Sequence, residues 1–265
     1  MVDLRNRDAL ATRGPLLIAH RGGVVSANSP ECSPAAIRAA AEAGYDLVEL
    51  DLQESSDQLP MVFHDPSLKE ACGVPGSIFD HTAAELESIR FLANGDPLLS
   101  LDAALALCKS LGLGVMLDCK KGESGAFFKA VRASVDKHGL GRATMCINGD
   151  ARIRLALKKA ALLTLSEPEW ASLRQGGRPP LSERFWFGLP RDLDEQKLQT
   201  LKAAGILIIP AINIFRYEQT RHLEDAAADV TRMNAAGVHG FQIDSVYQHL
   251  FGPKPVALPA GQDQP

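Results

Sequence analysis

The sequence predicts an α/β protein built as a (β/α)8 TIM barrel with a small insertion after the second strand. Short apolar runs alternate with amphipathic stretches rich in Ala, Leu, Glu and Lys, the pattern of parallel βαβ units. Nine strand candidates occur, and one lies too close to its predecessor to be a parallel neighbour. The 265 residues match the ~250 typical of this architecture.

The elements follow in order. Leu16–His20 opens the barrel and Ser33–Ala43 is the first amphipathic helix; Asp46–Leu52 is the second strand. Only eight residues separate Leu52 from Met61, whereas a parallel crossover needs about a dozen or more. Met61–His64 must therefore return antiparallel, in a hairpin turning near Ser56-Asp57 that brings His64 roughly opposite Asp51. Residues 65–97 carry Gly73, Pro75, Gly76, Gly95 and Pro97 and read as a loop-rich insertion at the barrel mouth, with a helix at Ala83–Ile89. The remaining strands are Gly114–Cys119, Ala143–Ile147, Leu162–Leu165, Arg184–Leu189, Ile206–Ile212 and Gly240–Asp244. Helices are expected at Leu101–Leu111, Gly125–His138, Asp150–Lys159, Asp194–Ala204 and His222–Ala236. Residues 1–265 form one domain, and 253–265, with four prolines, read as a loose tail.

Composition narrows the function. Net charge is -4 and the pI near 6.0, so no basic field points to nucleic acid, and an anionic substrate must be held by a few local cations or a metal. No apolar run approaches bilayer length, and the first fourteen residues lack the apolar core of a signal peptide. The five cysteines are odd in number and lack Cys-x-x-Cys spacing, which suits thiols in a reducing compartment; a cytoplasmic location is expected. Oligomeric state leaves no signature.

Active sites of such barrels lie at the C-terminal strand ends. The first strand ends His20-Arg21-Gly22-Gly23, which places His20 and Arg21 at the mouth. Glu49 and Asp51 are two apart on the second strand and share a face; Asp118 and Lys120 do so on the third, with Lys121 on the opposite side. Three converging carboxylates repel unless protonated or neutralised. A hard divalent cation, Mg²⁺ or Ca²⁺, answers that need, while the histidine spacing fits no zinc motif. The ion would neutralise a phosphoryl oxygen, with Arg21 and Lys120 holding the remaining phosphate charge. His20 and His64 can exchange protons near neutral pH. The chemistry is that of a metal-dependent phosphodiesterase acting on a small molecule.

The segments Ala19-His20-Arg21-Gly22-Gly23, Ser29-Pro30-Glu31-Cys32-Ser33, Val48-Glu49-Leu50-Asp51-Leu52 and Val62-Phe63-His64-Asp65 resemble the ordered motifs of glycerophosphodiester phosphodiesterases. The helix after Pro30 and Leu98–Leu105 are similar too, and the likeness is dense from Leu16 to Lys120. The resemblance implies that His20 and His64 are the catalytic histidines and that Arg21 contacts phosphate. It makes Glu49, Asp51 and Asp118 the metal ligands and Lys120 the lysine of a Glu-x-Lys motif. By likeness to phosphatidylinositol-specific phospholipases, a neighbouring substrate hydroxyl attacks phosphorus, and water opens the cyclic phosphate. The products would be sn-glycerol 3-phosphate and an alcohol.

Several positions depart from the family pattern. Asp118 stands where Glu is commoner, Cys32-Ser33 replaces Asn-Thr, and Ser56-Asp57-Gln58 lacks the usual Asp-Gly. Pro210-Ala211-Ile212-Asn213 sits where the family often has Trp-Thr-Val-Asn, a tryptophan that packs on glycerol. A phosphodiesterase of the same fold acting on a lysophospholipid or sugar phosphodiester therefore stays open, as does a non-catalytic phosphodiester-binding barrel. His81, His138, His222, His239 and His249 are expected to be solvated, and Asp244 to play a structural or supporting role. Trp170, Trp186, Phe215 and Tyr217 fit pocket lining and packing equally.

Overall fold

A computed structural model describes residues 1–147, 150–179 and 181–252. The stretch 253–265, expected to be a tail, lies outside the described residues. Among the described residues ten strands form one sheet: β1 (Leu16–Ala19), β2 (Leu47–Glu54), β3 (Pro60–Val62), β4 (Leu99–Ser100), β5 (Gly114–Lys121), β6 (Thr144–Cys146), β7 (Leu162–Thr164), β8 (Arg184–Gly188), β9 (Leu207–Ile212) and β10 (Gly240–Ile243). Eight of them run parallel in the order β1-β10-β9-β8-β7-β6-β5-β2, and β1 pairs with β2 to close the barrel. The fold is the expected TIM barrel.

The helices are α1 (Arg7–Ala11), α2 (Pro34–Glu42), α3 (Lys69–Cys72), α4 (Ala83–Ser88), α5 (Leu101–Ser110), α6 (Gly125–His138), α7 (Ala151–Ala156), α8 (Glu167–Arg174), α9 (Glu195–Ala203) and α10 (His222–Ala235). Ser33 caps α2 and Ser100 caps α5 by accepting amide N–H bonds, and both helices begin where the sequence places them. Helix α8 was not anticipated. Its signal is nonetheless present: Ser166 and Glu169 form a capping box and Pro168 sits in the first turn.

Strand alternation sorts the side chains into two layers. Leu47 of β2 and Met116 of β5 join Leu16, Ile18, Met145, Leu162, Phe185, Leu207 and Ile209 inside the barrel, with Leu4 and Leu10 of the N-terminal segment. Val48, Leu50 and Leu52, and likewise Val115, Leu117 and Cys119, pack instead among the outer helices. Positions 49, 51 and 118 thus continue the inward rows above an apolar plug.

The hairpin is confirmed with a one-residue correction. β3 runs antiparallel to β2 with Leu52 opposite Val62, and the Phe63 amide donates to Asp51 O at 3.0 Å, so Phe63 faces Asp51 and His64 lies one step further. The reason is a turn centred on Asp57, with Ser55 bonded to Leu59 and Gln58 in the left-handed region at φ +66°. A further strand, β4, continues the sheet beyond β3. Met61, Phe63, Leu68, Cys72, Ile78, Leu86, Phe91 and Leu98 give this region an apolar core of its own.

Candidate active site

The first barrel strand ends in a tight loop. Arg21 adopts φ +59°, and the two glycines after it let the chain approach its neighbours closely. A Cβ on Gly22 would lie 2.6 Å from the Cys32 Cα, and one on Gly23 only 2.0 Å from the Ala36 carbonyl oxygen. The loop is therefore pressed against the start of α2, and the Cys32 amide donates to Arg21 O at 2.9 Å. Cys32 itself sits at φ +61°, a conformation that Asn tolerates better than Cys.

This packing aims the Arg21 amide at the carboxylates, where it donates to Glu49 Oε2 at 2.8 Å. Glu49 and Asp51 are 1% and 0% exposed, and Asp118 is the register partner of Asp51 on β5. The three carboxylates each bring an oxygen within 4.8 Å of the others. Burial, reinforced by Asp51 and Asp118, pushes the Glu49 carboxyl well above its usual range. Burial and Asp51 raise Asp118 to about 6, against the pull of Lys120, His20 and His64. Asp51 Oδ1 is buried and accepts no hydrogen bond, although the Lys120 ammonium stands 2.8 Å away. Three converging oxygens faced by a single ammonium fit a hard divalent cation, and among the described residues Glu49, Asp51 and Asp118 would hold it.

The two histidines flank this centre from different elements. β1 pairs with β10 so that Ala19 lies beside Ile243, and the next residues, His20 and Asp244, become neighbours. His20 Nδ1 is 2.5 Å from Asp244 Oδ1, while Asp244 Oδ2 accepts the Ile214 amide at 2.6 Å. Burial, the largest single effect, would raise Asp244, but the bond and charge of His20, the Ile214 amide and Arg21 together outweigh it, and the carboxyl lies below its usual range. His64, at the end of the hairpin, places Nδ1 2.8 Å from Asp65 Oδ1 and 3.5 Å from Glu31 Oε1. Glu31 Oε2 accepts from Arg21 Nη1 at 2.7 Å. His20, Arg21, Glu49, Asp51, Asp118 and Lys120 share one mouth, and His64 is tied to them through Glu31.

Some positions differ from expectation. Leu52 pairs with Cys119 but Gln53 with Lys121, so Lys120 is the extra residue of a bulge. Simple alternation fails there, and Lys121 reaches the mouth beside Lys120 instead of turning away. His138 and His239 are not solvated: His138 Nε2 is 3.0 Å from Asp102, and His239 Nδ1 accepts the Ile208 amide at 3.1 Å. Asp244, Glu31 and Asp65 orient the predicted residues; Asp244 follows directly from the β1–β10 register, while Glu31 and Asp65 carry no spacing signal. Trp186 is buried, but Phe215 is 59% exposed with its ring 6.1 Å from that of His20. Val25, Ile214 and Val246 are exposed on the adjoining loops.

A closed parallel barrel with three converging carboxylates and two oriented histidines at its mouth has the groups that could hold a divalent cation beside an anion. Residues 20–130 match the glycerophosphoryl diester phosphodiesterase family. That match covers 111 of the 265 residues, and it is over this stretch that the chain is similar to the family. The chain is 33% identical to glycerophosphodiester phosphodiesterase 1 of Bos taurus over 124 residues, 44% of this chain and 36% of the relative. The match thus spans about a third of that protein's length. Among solved structures, glycerophosphodiester phosphodiesterase from Agrobacterium tumefaciens superposes with a TM-score of 0.67 at 20% identity, covering 90% of this chain and 99% of that one. A phosphodiesterase from Oleispira antarctica, in complex with the product sn-glycerol-3-phosphate, gives 0.66 at 19% identity and covers 89% and 95%. No helix among the described residues is long and apolar enough to cross a membrane.

Proposed function

We propose that the chain hydrolyses glycerophosphodiesters to sn-glycerol 3-phosphate and an alcohol, in a reaction that depends on Mg²⁺ or Ca²⁺. The observation that carries this reading is the buried Glu49–Asp51–Asp118 cluster, flanked by His20 on one side and His64 on the other. A divalent ion bound there supplies charge neutralisation at a phosphoryl oxygen. Arg21 and Lys120 hold the rest of the phosphate charge, Arg21 as a fork and Lys120 as a point charge. With Nδ1 of His20 engaged by Asp244, its Nε2 is the atom that exchanges a proton with substrate. Nδ1 of His64 is engaged by Asp65, which assigns its Nε2 the same task on the opposite side. One imidazole removes the proton of the attacking hydroxyl and the other protonates the departing alkoxide. Asp118, one methylene shorter than the commoner Glu, would reach less far from β5 toward such an ion.

A second reading is favoured by the apolar rim around His20. Phe215, Ile214, Val25 and Val246 are exposed there, and Ser245 Oγ donates to Val25 O across the two loops. Such a rim suits the acyl chain of a lysophospholipid.

The test is hydrolysis of glycerophosphocholine, lysophosphatidylcholine and bis-p-nitrophenyl phosphate, with and without added metal, alongside His20→Ala and His64→Ala. Metal-dependent turnover of glycerophosphocholine, lost in both variants, is expected. Turnover of the aryl diester alone sinks the glycerol reading, and preference for the lysolipid establishes the second. No metal-dependent turnover of any diester by folded protein points to a binding barrel.

A further inference from the structure

Beside Lys120 the mouth opens into a hollow of about 380 Å³. Gln53 and Glu54 of β2, Lys120 and Lys121 of β5, Phe79 of the insertion and Arg152 of α7 wall it. Its charges are nearly all spoken for. Lys120 stands on Asp51, Arg152 is bound to Asp150 with Glu123 nearby, and Glu54 accepts the Glu123 and Ser124 amides. Lys121 and Glu123 are the exceptions: both are exposed, and among the described residues neither the Lys121 ammonium nor the Glu123 carboxylate has a hydrogen bond or ion pair, although Glu123 is attracted by Arg152. The bulge brings Lys121 here, since without the extra residue it would point away from the mouth. Opposite it, Phe79 is 57% exposed and offers an apolar face.

We propose that this hollow receives the alcohol arm of the diester, and that Lys121 makes the site select alcohols bearing a carboxylate or phosphate on a short carbon skeleton. The proposal rests on the phosphodiesterase reading and adds the chemistry of the leaving alcohol. Neighbouring Cα atoms lie about 3.8 Å apart, so a phosphate held by Lys120 leaves Lys121 within the span of a two- or three-carbon arm. The hydrocarbon part of that arm lies against Phe79. A neutral or cationic alcohol leaves the Lys121 ammonium without a counter-charge and forfeits its attraction.

A matched pair of probes isolates the effect: sn-glycero-3-phospholactate and the corresponding propane-1,2-diol diester, which differ in a carboxylate for a hydroxymethyl group. Dissociation constants are measured by calorimetry with Mg²⁺ in the His20→Ala background, and kcat/KM with His20 intact. A preference for the lactate diester of about three- to tenfold is expected, shrinking as salt is raised. Lys121→Gln abolishes the preference, Lys121→Arg restores it, and Phe79→Ala weakens both diesters alike. Equal binding of the two probes, or a preference that survives Lys121→Gln, overturns the proposal. Selective binding without turnover of either diester upholds the hollow and removes the phosphodiesterase reading. Turnover of both with no charge preference does the reverse.

Discussion

Replacing Asp118 by Asn isolates the electrostatic cost of the carboxylate cluster. Burial and Asp51 raise Asp118 from 3.8 to about 6. Its folded pKa lies above its unfolded value, so between pH ~4 and ~6 the folded chain holds the extra proton, and stability falls as pH rises through that window. Above it the penalty is complete. Two pKa units at 1.36 kcal/mol each give on the order of 3 kcal/mol. Asn mimics the protonated acid. In EDTA, Asp118→Asn is therefore expected to match the parent at pH 4 and to exceed it by roughly that amount at pH 8. With saturating Mg²⁺ or Ca²⁺ the order inverts, because the parent gains binding free energy and the variant has lost a ligand. Urea unfolding across pH 4–8, with and without metal, measures both curves. Parallel pH profiles for the two proteins in EDTA would refute the claim that Asp118 is held charged at a cost.

Three further outcomes follow from the same geometry. Asp244→Asn removes the carboxylate that fixes His20 Nδ1 and is expected to lower kcat by roughly 10²-fold or more, while metal affinity measured by calorimetry stays unchanged. Gly23→Ala drives a Cβ to 2.0 Å from the Ala36 carbonyl oxygen at φ +145°; a loss of about 3 kcal/mol or more in urea unfolding is expected, and a near-neutral variant would contradict the packing of this loop. Gln58→Gly relieves a left-handed turn residue exposed to solvent and should stabilise the protein by about 0.5–1 kcal/mol, seen as a higher urea midpoint at constant m.

The sequence exposes what depends on period and spacing. Glu-x-Asp on β2 and Asp-x-Lys on β5 declare their face because the side-chain period is two, and eight residues between Leu52 and Met61 admit only a hairpin. What it conceals depends on departures from regularity or on contacts between distant segments. The bulge at Lys120 carries no composition signal, so alternation sends Lys121 to the wrong face. The turn at Gln58 has no glycine to announce its positive φ, and the His64 register is consequently off by one. Glu31 meets His64 and Arg21 only through tertiary packing. The Asp244–His20 pair is the intermediate case, recoverable once β1 and β10 are recognised as the closing strands of a barrel.

These contacts divide the candidate site into two separately built halves. The carboxylates stand on barrel strands whose neighbours pair on both sides, with His20 directly after one, above a core of Leu16, Ile18, Leu47 and Met116. His64 stands instead two residues beyond a three-residue strand whose support is the small core around Phe63, Leu68 and Phe91. Arg21 joins the halves: its amide holds Glu49 and its guanidinium holds Glu31, which in turn faces His64. Arg21 is held at positive φ, and Gly22 and Gly23, with no Cβ, must follow it for the loop to seat against α2.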